Sequence, residues 1–189
     1  KGHFDRSIAA LAGLHPVLAI GLACIGMIIY LGLRFEWKFA LGAVLAQLHD
    51  VIITAGVFSL MGWTFDLNVL AALLAILGYS VNDTVVVYDR IRENFRKLPA
   101  VTPKDVIDTS INQTLARTMV TSFTTLLSVI ALALFGGTIL AGFSIAMIIG
   151  IVFGTYSSIF VASGLLPMLG VKHEDLLPPQ DEDEVDELP

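Results

Sequence analysis

Blocks of about twenty consecutive apolar residues dominate this chain, and they restrict its fold more than anything else in it. A block of that length crosses roughly 30 Å of hydrocarbon as a helix, whereas soluble domains spread their apolar residues at amphipathic spacing. The composition agrees, with 56% hydrophobic residues and a mean hydropathy of +0.80. Alternating ten-residue strands of the barrel type are not visible. The expected fold is an all-α, polytopic helical membrane protein.

Five spans are read, at about Pro16–Leu33, Phe39–Met61, Leu67–Tyr88, Thr118–Phe135 and Ala141–Leu169. Gly62-Trp63 and Gly136-Gly137 break the helical pattern and mark short turns. The transmembrane domain is then 16–169, with an extra-cytoplasmic segment 1–15 before it and a loop 89–117 between the third and fourth spans. Eight of the 17 acidic residues follow Lys172, so 170–189 reads as an acidic, solvated, disordered tail. Cys24 has no second cysteine to pair with and reads as a small apolar side chain.

Lysine and arginine set the expected orientation. Arg34, Lys38, Arg90, Arg92, Arg96, Lys97, Lys104, Arg117 and Lys172 share one side, and only Lys1 and Arg6 lie opposite. By the positive-inside rule that side and the C-terminus are cytoplasmic and the N-terminus is outside. An outside N-terminus without a signal peptide leads us to expect a further span upstream. In the long loop, Thr102 reads as an N-cap, with Pro103 first in the helix and Asp105 third. Ile107, Ile111 and Leu115 repeat every four residues from there. That pattern predicts a short amphipathic helix lying on the inner membrane face and leading into the fourth span.

Two acids fall inside spans. A carboxylate in hydrocarbon costs at least about 2.5–3.5 kcal/mol, so a retained one is a functional candidate. Asp50 lies about 16 Å from the outer end of its span, which is mid-bilayer. Asp83 lies roughly 24 Å inward and Arg117 roughly 27 Å inward on the next span, so the two can meet. Burial opposes the charged carboxylate and a nearby guanidinium favours it. A movable Arg117 would therefore make Asp83 a proton-coupled switch, and a proton crossing the membrane potential supplies about 2.3 kcal/mol per 100 mV. The alternative is a static ion pair that fixes helix packing.

Tyr79, Asn82 and Asp83 are read as one face of the third span. Arg117, Thr121, Thr124, Thr125 and Ser128 form a stripe on the fourth, and Thr155, Ser157 and Ser158 interrupt the fifth. Each hydroxyl, taken alone, reads as bonded to its own helix backbone or as glue between helices. His49 and Asp50 point about 100° apart on a helix and do not read as a ready pair. Asp50 then bonds a neighbouring helix or joins a water path.

Catalysis has little support. Tyr88-Asp89 is similar to the tyrosine-aspartate pair of intramembrane aspartyl proteases, but their GxGD motif is absent. Phosphate loops, metal clusters and nucleophile elbows are not seen either, and His3, His15 and His173 share no ligand spacing. The chain reads as a non-enzyme with no cofactor. Its basic loop attracts anionic lipid head groups. Nucleic acid is not expected, because aromatics are not interleaved with those charges.

The run GYSVNDTVVVYDRIRENFRK, Gly78–Lys97, closely resembles the signature of the SecF family of protein-export subunits. RFEWKFALGAVLAQLHDVIITAGVFSL (Arg34–Leu60), INQTLARTMVTSFTTLLSVIALALFGG (Ile111–Gly137) and GTYSSIFVAS (Gly154–Ser163) resemble the flanking parts in the same order. The resemblance implies membership of the resistance-nodulation-division superfamily, a bacterial inner-membrane location and six spans with an external domain after the first. It implies pairing with SecD into a twelve-span unit, association with the SecYEG channel, and use of the proton motive force to complete preprotein translocation. The family aspartate and arginine implicated in proton transport match Asp83 and Arg117. Two departures stand out: the first span and external domain are missing, and LAGFSIAMIIG from Leu140 replaces a stretch charged in many relatives. Two other roles remain open, a related proton-coupled transporter half for lipid or small-molecule cargo and a non-transporting scaffold.

Overall fold

In the computed structural model, residues 18, 20–98 and 100–171 are described, and every regular element among them is helical. The expected N-terminal segment, His3, His15, Lys172, His173 and the acidic tail lie outside the described residues. The helices are α1 (Ile20–Arg34), α2 (Trp37–Leu60), α3 (Leu67–Lys97), α4 (Pro103–Phe135), α5 (Gly137–Tyr156) and α6 (Ala162–Met168). A π-helical turn, Ser157–Val161, joins α5 to α6. Four helical stretches are long and apolar enough to cross a membrane, the last running Gly137–Met168, and α1 is a shorter apolar helix. The chain is a polytopic helical membrane protein.

Its turns follow from local chemistry. At the end of α2, Gly62 takes φ +66°, a conformation that suits a residue without Cβ. There Trp63 N–H bonds Phe58 C=O and Gly62 N–H bonds Ser59 C=O, the pair of a Schellman cap. Asp66 then starts α3 by accepting Val69 N–H at 2.9 Å. Thr102 caps α4 by accepting Asp105 N–H at 3.3 Å, with Pro103 in the first turn.

The loop 89–117 is mostly helix, contrary to expectation. At 31 residues, α3 spans roughly 46 Å at 1.5 Å per residue and carries its basic end well past a 30 Å hydrocarbon layer. The amphipathic helix expected to lead into the fourth span does so without interruption as the first turns of α4, which has no glycine or proline to break it before Gly136. It packs on α3 and does not lie flat on the membrane face: Val106 and Ile107 join Phe95 and Ile91 in one core cluster. Buried Asn94 of α3 donates to Ser110 Oγ (2.8 Å) and Gln113 Oε1 (3.0 Å) of α4.

α3 is the central helix and touches α2, α4 and α5. Two apolar clusters hold it. The first gathers Phe35, Phe39, Tyr88, Ile91 and Phe95, with Tyr88 edge-on to Phe39 at 5.2 Å and its hydroxyl donated to Ala162 C=O at 2.9 Å. The second gathers Phe58, Val69, Leu73, Ile76, Met147 and Ile151. Here α3 and α5 approach closely because Gly150 is opposite Ile76, where any Cβ would overlap the Ile76 side chain. Between the clusters in sequence runs a set of buried polar side chains: Asp50, Ser80, Asp83, Thr84, Ser122, Ser157 and Ser158.

Candidate functional site

Asp83 reaches its position because the apolar face of α3 must pack inward, and the residue falls on that face between Ile76, Ser80 and Val87. It is 3% exposed. Ser122 of α4 donates its hydroxyl to Asp83 Oδ2 at 3.4 Å. Ser122 is also an acceptor, from Tyr79 Oη at 3.0 Å and from Thr155 Oγ1 at 2.7 Å. One serine thereby ties α3, α4 and α5 to the carboxyl.

Arg117 lies five residues before Ser122 on α4, and its side chain is exposed. It lines a cleft of about 610 Å³ between the basic end of α3 and α4, with Val86, Arg90, Arg96, Gln113 and Thr114. Val86 is three residues beyond Asp83, so the cleft opens one helical turn from the buried carboxyl. Among the described residues no ion pair joins Asp83 to Arg117 or engages Arg117 at all. The neighbouring cations are better matched. Arg90 and Lys97 both hold Glu93, Arg92 meets Glu36 at 3.3 Å, and Arg34 meets Asp89 at 3.4 Å. Hydrogen bonds from Lys97, then Arg90, hold the Glu93 carboxyl below its usual range.

Other expected residues divide. Asn82 faces outward, not with Tyr79 and Asp83, because the helix turns about 100° between neighbours. Thr124 is exposed and Thr125 half-buried, and their hydroxyls donate to the backbone of Val120 and Thr121 in their own helix. Thr121 does the same toward Arg117 C=O at 3.1 Å. Ser122 escaped the sequence reading. The signal was a four-residue repeat of small hydroxyl residues, Ser110, Thr114, Thr118 and Ser122, which is the buried face of α4.

Asp50 is fully buried and accepts the Ser80 hydroxyl at 2.7 Å. Against expectation, His49 Nδ1 comes within 3.3 Å of Asp50 Oδ1, because the ring folds back along the helix toward its neighbour. The fifth span also differs from a plain helix. Its π turn widens the backbone so that consecutive Ser157 and Ser158 both point inward, donating to Ala46 C=O (3.2 Å) and Ser80 C=O (3.3 Å). Thr84 donates to Ser158 Oγ at 3.1 Å. Tyr88 and Asp89 do not form a dyad, since Tyr88 is buried on Ala162 and Asp89 is exposed beside Arg34.

Residues 9–172 match the family described as protein export membrane protein SecD/SecF, C-terminal. The protein translocase subunit SecF of Vibrio alginolyticus is 54% identical over 175 residues, which cover 91% of this chain and 56% of that protein. The SecF subunit of Pseudomonas aeruginosa is 52% identical over 94% of this chain and 56% of its own length. Among solved structures, SecDF of Thermus thermophilus, described as a translocon-associated membrane protein, superposes with a TM-score of 0.78. It is 46% identical and matches 81% of this chain and 21% of that chain. This chain thus spans about half the length of the curated relatives it matches.

Proposed function

This chain belongs to the SecD/SecF family of protein export membrane proteins, and from that premise we propose that it is the membrane core of a SecF-type translocase subunit driven by the proton motive force. It works in the bacterial inner membrane with SecD and the SecYEG channel, and its cargo is a translocating preprotein. Asp83 is the protonation switch and Arg117 its counter-charge. Ser122 holds the carboxyl, Asp50 lends polar support within the same buried polar set, and Thr121, Thr124 and Thr125 spend their hydroxyls on the backbone of α4, with Asn82 facing outward. The basic side, with the C-terminus, is cytoplasmic and meets anionic lipid.

One observation carries this reading: Asp83 is buried with Ser122 as its hydrogen-bond donor, while Arg117, lining a cleft that opens one turn away, is close enough for its charge to act on that carboxyl without forming an ion pair to it. A carboxyl so placed gains or loses a proton according to whether the guanidinium is withdrawn or swung inward. A helix shift of one turn is within the range of known switching motions. The reading is tested with Asp83→Asn in the complete complex, reconstituted in vesicles. Expected is loss of the translocation that depends on the proton gradient, with assembly and ATP-driven initiation retained. Gradient-dependent translocation at the wild-type rate would refute it.

A further inference from the structure

Asp50 is a second buried carboxyl, set among three parts of the chain. It lies on α2 and takes a hydroxyl from Ser80 of α3, whose own C=O accepts from Ser158 of the π turn. Gly154 of α5 faces it without a side chain; a Cβ there would come to 3.5 Å from Asp50 Oδ2. The contact therefore falls where α5 changes to π-helix, and π turns inside α-helices recur at functional sites. One turn earlier on α2, Gln47 is fully buried with neither amide atom bonded to the described protein. Buried amides in that state ordinarily hold internal water.

His49 stands at the edge of this interior, on the membrane-embedded flank of α2. Its ring is about a third exposed on the flank of α2, while Nδ1 stands 3.3 Å from the buried Asp50 Oδ1. It is the one titratable group among the described residues acting on Asp50; α3, α5 and the π turn present only Ser80, Gly154 and Ser157.

We propose that His49 and Asp50 form a second proton-exchange site of this subunit, separate from Asp83 and coupled to the π turn of the last span. A proton taken up by His49 passes from Nδ1 to Asp50 Oδ1. The N–H bond breaks and the O–H bond forms, giving a neutral imidazole and a neutral carboxylic acid from an imidazolium and a carboxylate. The summed charge of the pair stays zero through that step, while one proton moves from the ring to the buried carboxyl. Loading converts Asp50 from acceptor-only to a group that also donates, which alters what Ser80 can offer it. Ser80 C=O also accepts from Ser158 of the π turn, so the change is delivered to the segment of α5–α6 with the least regular backbone.

This inference rests on the proton-coupled reading above, and its test separates the two. Carboxyl stretching bands are followed by infrared difference spectroscopy during pH steps on the complete complex in vesicles, in H2O and D2O. Expected is one titrating band lost in Asp50→Asn, shifted in frequency in Asp50→Glu and retained in Asp83→Asn. His49→Gln should move the midpoint of that band by about one pH unit or more, which a purely packing role for His49 would not do. Gradient-dependent translocation should fall at least about tenfold in Asp50→Asn, with ATP-driven initiation unchanged. Spectra of Asp50→Asn and Asp50→Glu identical to wild type, or a midpoint indifferent to His49→Gln, would overturn the site. That result would leave the Asp83 switch standing, whereas normal translocation by Asp83→Asn would remove the switch without touching the band.

Discussion

Ser122 of α4 donates to Asp83 of α3 across 3.4 Å while accepting hydroxyl hydrogens from Tyr79 and Thr155. Its oxygen thus donates to Asp83 and accepts from Tyr79, and it shares the single hydroxyl hydrogen of Thr155 with Ile151 C=O, in a position 7% exposed. Three helices meet at that atom, so a change in the hydrogen bonding of Asp83 reaches α5 through Thr155 as well as α4 directly. Networks of this kind are held in register only when every member is satisfied.

Ser122→Ala should therefore do more than remove one weak bond. Asp83 loses its donor, and Tyr79 loses its partner in a half-buried place. Thr155 keeps its bond to Ile151 C=O at 2.7 Å. Leaving such groups unpaired costs about 1–3 kcal/mol. The expected result is a lower thermal midpoint of the complex and a proton-driven rate reduced but not abolished, in contrast to Asp83→Asn. Thermal unfolding and translocation with and without a gradient measure the two effects, and a wild-type midpoint would contradict the network.

How far the sequence revealed this arrangement depends on the kind of signal. The spans were readable because hydrocarbon imposes length and apolarity on each helix. The Thr102, Pro103 and Asp105 start of α4 was readable too, because capping is local chemistry. The packing of the amphipathic segment on α3 was not, since it turns on Asn94 reaching Ser110 and Gln113 from another helix. The π turn left only a serine pair in the sequence, and two adjacent serines do not announce a wider turn. At the site, the depths of Asp83 and Arg117 brought them to the same helix pair, but side-chain direction decided that Arg117 faces the cleft. Asn82 was misplaced for the same reason: proximity along the chain is not a shared face.

Packing offers a prediction independent of proton chemistry. A Cβ at Gly150 would overlap Ile76, so Gly150→Ala should destabilise the subunit by about 1–3 kcal/mol, the usual range for overpacking. Ile76→Ala alone opens a cavity and should cost about 2–5 kcal/mol. Combined, the two should be less harmful than their sum, because the added methyl enters the space that Ile76 vacates. Unfolding of the wild type and the three variants in one detergent closes the cycle. Strict additivity would mean that α3 and α5 are not in contact at this point.

The basic end of α3 gives a prediction with a defined pH sign. Hydrogen bonds from Lys97 and Arg90 lower the Glu93 carboxyl below its reference value of 4.5. A group whose folded pKa is depressed contributes stability above the unfolded value and loses it as pH falls through the folded one. The last turn of α3 should accordingly be fully protected above about pH 5 and fray progressively below the ordinary carboxylate range. Glu93→Gln should remove that dependence and leave the turn frayed at every pH, while Lys97→Gln should weaken it. Both cations are exposed, so salt should blunt the effect as well. Amide hydrogen exchange at Asn94–Lys97, corrected for intrinsic rates, reports the change. Exchange in the wild type that is flat across this range would show the Glu93 contacts to be without consequence for the helix end.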